Sequence, residues 1–233
     1  MLRKLSPMTV GDAAFGGDEA KLKRLLATGA NPNDPAQRRD DGSGTEPNRR
    51  DTPLMDATWR GHGPVVATLL ASRADLAATT ADGLTALHLA AQWGHTGILQ
   101  QLVRAGASLD GRSRDGATPL LLAAAFNQTE CARKLVLAGA DATIPNHAGA
   151  TPADVADDAG FTSTAQLLRN LPLMVAQVVK SHENAVTDPN RITHTTYLRS
   201  EHLAQSIAQG GAAIAAKNTP KKSPNKMLLA FSQ

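Results

Sequence analysis

Thr52, Thr85, Thr118 and Thr151 stand 33 residues apart, and each opens the same kind of stretch. A small or apolar segment comes first, then one helical pattern, then a second. A fixed step of this size marks a stacked repeat array, in which each unit leaves an apolar face bare unless a neighbour covers it. Such a stack offers a long surface, and the sequence speaks more to how the chain binds than to what it binds.

The unit that starts at Ala81 shows the local physics. Asp82-Gly83 is a turn pair, because Gly tolerates positive φ. Thr85 sits where an N-cap belongs, its hydroxyl able to accept from an orphan backbone N–H. Leu87, Leu89, Ala90 and Ala91 follow on a short helix that Gly94 ends. Ile98, Leu99, Leu102 and Val103 then recur at helical spacing and predict a buried stripe. Gly106 ends this second helix as a left-handed cap.

The four helix starts read Thr52-Pro-Leu-Met-Asp-Ala, Thr85-Ala-Leu-His-Leu-Ala, Thr118-Pro-Leu-Leu-Leu-Ala and Thr151-Pro-Ala-Asp-Val-Ala. Pro suits the first helical position, where its missing N–H would be an orphan anyway. The second-helix ends match as well: Leu25-Leu26…Gly29-Ala30, Leu69-Leu70…Arg73-Ala74, Leu102-Val103…Gly106-Ala107 and Leu135-Val136…Gly139-Ala140. In period and in motif this resembles the ankyrin repeat. The resemblance implies an all-α fold, an ankyrin-repeat solenoid of paired antiparallel helices joined by hairpin-like loops.

A degenerate unit precedes the regular ones. Counting back from Gly29 places its start at Met8 and aligns Ala13-Ala14 with Ala90-Ala91. Between Asn33 and Thr52 lie 18 residues, where Asp110 and Thr118 are separated by 7. Eleven residues are therefore inserted within Asp34 to Asp51, and their polar composition predicts a surface finger. The expected organisation is an array over 1–170, with units at about 8–33, 51–80, 81–113, 114–147 and 148–170 and the insert at about 34–50. A helical extension over 171–209 follows, its first part capping the stack, then a flexible basic tail over 210–233.

Charge is uneven. Residues 1–170 hold 17 Lys/Arg against 18 Asp/Glu, whereas 171–233 hold 7 against 3. The basic balance comes from the C-terminal part, so the repeats carry no electrostatic signature of nucleic-acid binding. The tail suits an acidic surface. One cysteine, Cys131, excludes an intrachain disulfide framework and points to a reducing interior, cytoplasm or nucleus. No apolar run approaches the roughly 20 residues of a membrane span. No apolar core of a secretory signal follows Met1.

The resemblance also indicates where a partner would sit. In ankyrin arrays the concave face is built from hairpin tips and the exposed side of the first helices. The paired positions there are Phe15-Gly16, Trp59-Arg60, Gln92-Trp93, Ala125-Phe126 and Asp158-Ala159. Four of the chain's seven aromatic residues fall in this register. Aromatic and Arg side chains are the usual anchors of protein interfaces. Packing between repeats is the competing role for the same rings. Phe15, Asp56, Trp59, Arg60, Gln92, Trp93 and Phe126 are the candidate protein-binding residues, and Asp12 is read as equivalent to Asp56. Arg49, Arg50, Arg112 and Arg114 would form a hairpin rim, although interleaved acids also suit plain solvated tips.

Nothing points to catalysis. His88 occupies the position at which the family ties neighbouring hairpins together, and His62 and His95 start second helices. No H-E-x-x-H, P-loop, G-x-G-x-x-G or G-x-S-x-G pattern occurs, and no metal or cofactor is expected. Cys131, among apolar neighbours, reads as an inert thiol. Thr219-Pro-Lys-Lys222 and Ser223-Pro-Asn-Lys226 resemble sites of proline-directed kinases, with Thr219 and Ser223 as acceptors; a generic basic tail is the other reading. The function expected is a non-enzymatic protein-interaction module, an adaptor or a subunit of an assembly. An inhibitor covering a partner enzyme is the near alternative, and an enzymatic or small-molecule role the distant one.

Overall fold

Each first helix is started by a threonine whose backbone is extended just before the helix turns. The computed structural model describes residues 9–35, 51–171, 173 and 174. Within them α1 (Val10–Gly16), α3 (Pro53–Trp59), α5 (Ala86–Gln92), α7 (Pro119–Ala125) and α9 (Pro152–Asp158) follow the caps Thr9, Thr52, Thr85, Thr118 and Thr151. The Thr52 and Thr118 hydroxyls accept from the N–H groups of Met55 and Leu121 at 3.4 and 3.2 Å. Thr9 and Thr151 close full capping boxes: the Asp12 and Asp154 carboxylates reach back to the N–H groups of Thr9 and Thr151 at 2.8 and 3.0 Å. Pro53, Pro119 and Pro152 open their helices.

Second helices run antiparallel to the first: α2 (Glu19–Ala27), α4 (Gly63–Ala71), α6 (Thr96–Arg104) and α8 (Thr129–Ala138). A further helix begins at residue 162 and pairs in sequence with α9. Among the described residues all regular structure is helical. Hairpin-like loops join the pairs. Thr80 N–H donates to Leu84 O, and Ser113 N–H to Ala117 O, both at 2.9 Å, with Gly83 and Gly116 at positive φ between them. Adjacent hairpins also bond to each other: Arg114 N–H donates to Asp82 O at 2.9 Å and His147 N–H to Asp115 O at 3.0 Å.

The first helices pack in chain order, α1 on α3 on α5 on α7 on α9, and α2, α4, α6 and α8 form a second row. Small residues make the close approach feasible: Ala13, Ala57, Ala90, Ala123 and Ala156 are all fully buried along the first row. In the second row Val65, Val66 and Leu69, then Ile98, Leu99 and Leu102, then Cys131, Leu135 and Val136 are buried. Val103, expected in this stripe, is only half-buried.

Two departures from expectation are informative. The first unit starts at Thr9, not Met8, and α1 runs directly into Gly17. In the other pairs a C-cap residue (Arg60, Trp93, Phe126 or Ala159) intervenes before the left-handed position. The first unit is one residue shorter, so Asp12 falls at the third helical position and serves its capping box. It is not the counterpart of Asp56. At the other end, Asp154 and Asp157 are exposed, whereas their counterparts His88 and Leu121, and Ala91 and Ala124, are buried against the next pair. Among the described residues, α9 thus exposes acidic side chains at positions that α5 and α7 bury.

The chain divides into two units, Met1–Gln166 and Leu167–Gln233. In the second, Leu168 and Leu171 are buried. Of the expected helical extension over 171–209, residues 171, 173 and 174 are helical and the rest lies outside the described residues, as do the tail and most of the insert. Across the insert the first two pairs remain joined, since Asn33 Oδ1 accepts from Asp75 N–H at 2.9 Å.

Candidate functional site

The end of each first helix carries a side chain outward just before the chain reverses, and stacking the helices sets these side chains side by side. Phe15 and Trp59 face each other with ring centroids 6.5 Å apart at an interplanar angle of 21°. Trp59 and Trp93 meet edge to face, 6.1 Å apart at 86°. Both arrangements are favourable for aromatic quadrupoles. Packing between repeats and surface display are therefore not exclusive: Trp59 is half-buried between its neighbours, while Trp93 is 50% exposed and Phe126 49% exposed. The row is an apolar ridge, half-buried in the first two pairs and exposed in the third and fourth.

Histidines fix the backbone of this ridge. His62 Nε2–H donates to Phe15 O at 3.2 Å, and His95 Nε2–H to Trp59 O at 3.1 Å. Each imidazole lies over a glycine of the preceding pair. A Cβ on Gly17 would stand 2.9 Å from the His62 ring, and one on Gly61 2.9 Å from that of His95. Both glycines also have positive φ, so conformation and space exclude larger residues there. In the fourth pair Asn127 replaces glycine at φ 54, and its Oδ1 accepts from the buried Thr164 hydroxyl at 2.8 Å. The Asn127-Gln128-Thr129 sequence is thus part of a packing contact.

Arg60 lies on the ridge. Its guanidinium carbon is 3.4 Å from the Phe15 ring centroid and 5.2 Å from that of Trp59. This is cation–π geometry, and the flat stack leaves the N–H donors along the guanidinium edge. Among the described residues Arg60 makes no ion pair. Gln92 is half-buried beside Trp93.

Asp56 departs from expectation. It is only 3% exposed, one turn before Arg60, and belongs to the interior of the stack. Arg112 is committed in part within the protein, donating from Nη2 to Pro145 O at 2.8 Å across adjacent hairpins. Arg114 is exposed at its tip. Arg49, Arg50, Thr219 and Ser223 lie outside the described residues. The Arg60 stack had no signal in the period, because it joins residues 45 apart in sequence through a rotamer.

The titratable groups do structural work. His88 is fully buried, its Nδ1 accepting from Thr85 N–H at 3.1 Å and its Nε2–H donating to Gly111 O and Ala117 O, both at 3.1 Å. It ties one helix start to the next hairpin. Burial lowers its pKa, against the opposing effect of the two carbonyls. Burial pushes the Cys131 thiol up, opposed by its hydrogen bond with Thr96 and reinforced by Glu130, so the thiolate is disfavoured. Among the described residues no group of three or more His, Cys, Asp or Glu is placed to hold a metal ion, and no helix is long and apolar enough to cross a membrane.

Paired short helices, cross-bonded hairpins and a surface assembled from one recurring position define a repeat solenoid of the kind that presents a face to other macromolecules. Residues 54–146 match the family model described as ankyrin repeats, in three copies, which supports an ankyrin-repeat array over this stretch. Ankyrin repeats are in general protein–protein interaction modules. No curated protein matches the chain.

Proposed function

We propose that this chain is a non-enzymatic interaction module, an adaptor or a subunit of a larger assembly, that holds a protein segment along the ridge of Phe15, Trp59, Arg60, Gln92, Trp93 and Phe126. The helix pairs before and after the matched stretch act as repeats of the same kind and lengthen that ridge. One observation carries the reading: both tryptophans and two of the four phenylalanines gather on one row, with Trp93 and Phe126 half exposed to solvent. Large exposed rings in register cost solvation and add little to the core. They suit a surface that a partner covers. The buried, raised-pKa thiol is compatible with a reducing compartment such as cytoplasm or nucleus.

The test is affinity purification of the full chain with cross-linking, repeated for Trp93→Ala and for the double change Trp59→Ala, Trp93→Ala. An anchor of this type is worth about 2 kcal/mol when buried at an interface, roughly a 30-fold loss of affinity. Trp93→Ala is expected to weaken partner capture while circular dichroism shows the helices retained and the urea midpoint falls only modestly, by the loss of the Trp59 edge contact of about 0.5–1.5 kcal/mol. If the double variant retains every partner, the ridge is not the binding surface.

A further inference from the structure

The ridge has unlike ends. Arg60 stands after α3, stacked on Phe15 and without an ion pair among the described residues. Asp158 occupies the Trp59 register position on α9, is exposed, and likewise makes no ion pair among the described residues. Exposed Asp157 precedes it. Between these poles the exposed positions are Trp93 and Phe126, both apolar. Three helix-to-helix steps separate α3 from α9, about 24–30 Å at 8–10 Å per step.

We infer that the ridge selects a dipolar protein segment: an acidic residue over Arg60, an apolar middle on Trp93 and Phe126, and a Lys or Arg at Asp158. This inference rests on the ridge being the binding surface and adds the partner's chemistry and direction. A guanidinium held flat by ring stacking is pre-organised to receive a carboxylate on its edge. A like-signed segment end at either pole would meet repulsion, so the poles set orientation as well as attraction. The spacing is also set. An extended segment spans the poles with about 7–9 residues at roughly 3.3 Å each. A helical one needs about 16–20 at 1.5 Å each.

The experiment selects binders from a displayed library of random 24-residue peptides on the immobilised full chain. It keeps those whose binding is lost on Trp93→Ala. The expected result is enrichment of Asp or Glu paired with Lys or Arg at one of the two spacings. Arg60→Glu and Asp158→Lys should each weaken the selected peptides at least about fivefold, less so as salt is raised. Reversing the peptide's acidic residue to Lys should restore binding to Arg60→Glu. Trp93-dependent peptides without this charge pattern, or indifferent to both charge reversals, would overturn the inference and leave the ridge itself standing. Failure to recover any Trp93-dependent peptide would overturn both.

Discussion

Thr58 is the residue whose replacement tests the packing argument most directly. It lies in α3, fully buried at 0% exposure, and its hydroxyl has no hydrogen-bond partner among the described residues. The same position in α5 and α7 is alanine, Ala91 and Ala124, also fully buried. A buried hydroxyl without a partner carries a desolvation cost of about 1–3 kcal/mol. Thr58→Val keeps the branched shape and removes that cost, so it should stabilise by about 1–2 kcal/mol. Thr58→Ala removes the same cost and gains about 0.5 kcal/mol of helix propensity. It also loses a buried methyl group, about 1 kcal/mol. Its net gain should be about 0.5–1.5 kcal/mol, roughly 0.5 kcal/mol below that of the Val variant. The expected order is Val above Ala above wild type. Urea denaturation followed by circular dichroism reads this as a rise in midpoint at unchanged m-value. Because repeat arrays can lose two-state behaviour, hydrogen exchange at the α3 amides supplies a local readout. A lower midpoint for Thr58→Val at constant m-value would refute the reasoning, since it would mean the hydroxyl is satisfied in solution.

Three further outcomes are expected. Arg73 holds φ 60 where Gly29, Gly106 and Gly139 occupy the equivalent left-handed position, so Arg73→Gly should stabilise by about 0.5–1 kcal/mol in the same denaturation assay. His88 has a folded pKa below its unfolded value near 6.5, so the unfolded chain binds more protons just below that pH. Stability should therefore be full above about pH 6.5 and fall as pH drops toward the folded value, measured as a falling Tm between pH 7.5 and 5.5. His88→Met, the residue type at Met55, should flatten that profile, and an unchanged slope would assign it to other groups. Finally, α1 to α4 should exchange their amides faster than α5 to α8. They combine the insert, the strained Arg73 and the unpaired Thr58 hydroxyl, and α2 buries only Leu22 fully. Equal protection would contradict this.

Much of the fold was legible because its determinants are local. A threonine cap bonds three residues ahead, and a left-handed glycine ends a helix within one turn. The 33-residue step then follows from repeating those short-range rules. Asp12 and Asp56 mark where local reading failed. One missing residue in the first unit moves Asp12 onto its own capping box. Asp56, counted among the candidate binding residues, is only 3% exposed in the stacked structure.

The sequence by itself therefore determined the helix starts, the helix ends, the repeat and the register in which the aromatic residues fall. Only the tertiary structure decided what those residues do to one another. Phe15, Trp59 and Trp93 meet through the spacing of stacked helices and the choice of rotamer. His62 and His95 reach back to hold the carbonyls beneath the rings, and Arg60 lies flat on a ring from the previous pair. These contacts join residues 34 to 47 positions apart. Their energies depend on distances of a few ångström that no periodic pattern encodes, which is why the period identifies the row and the packed structure gives it unlike ends.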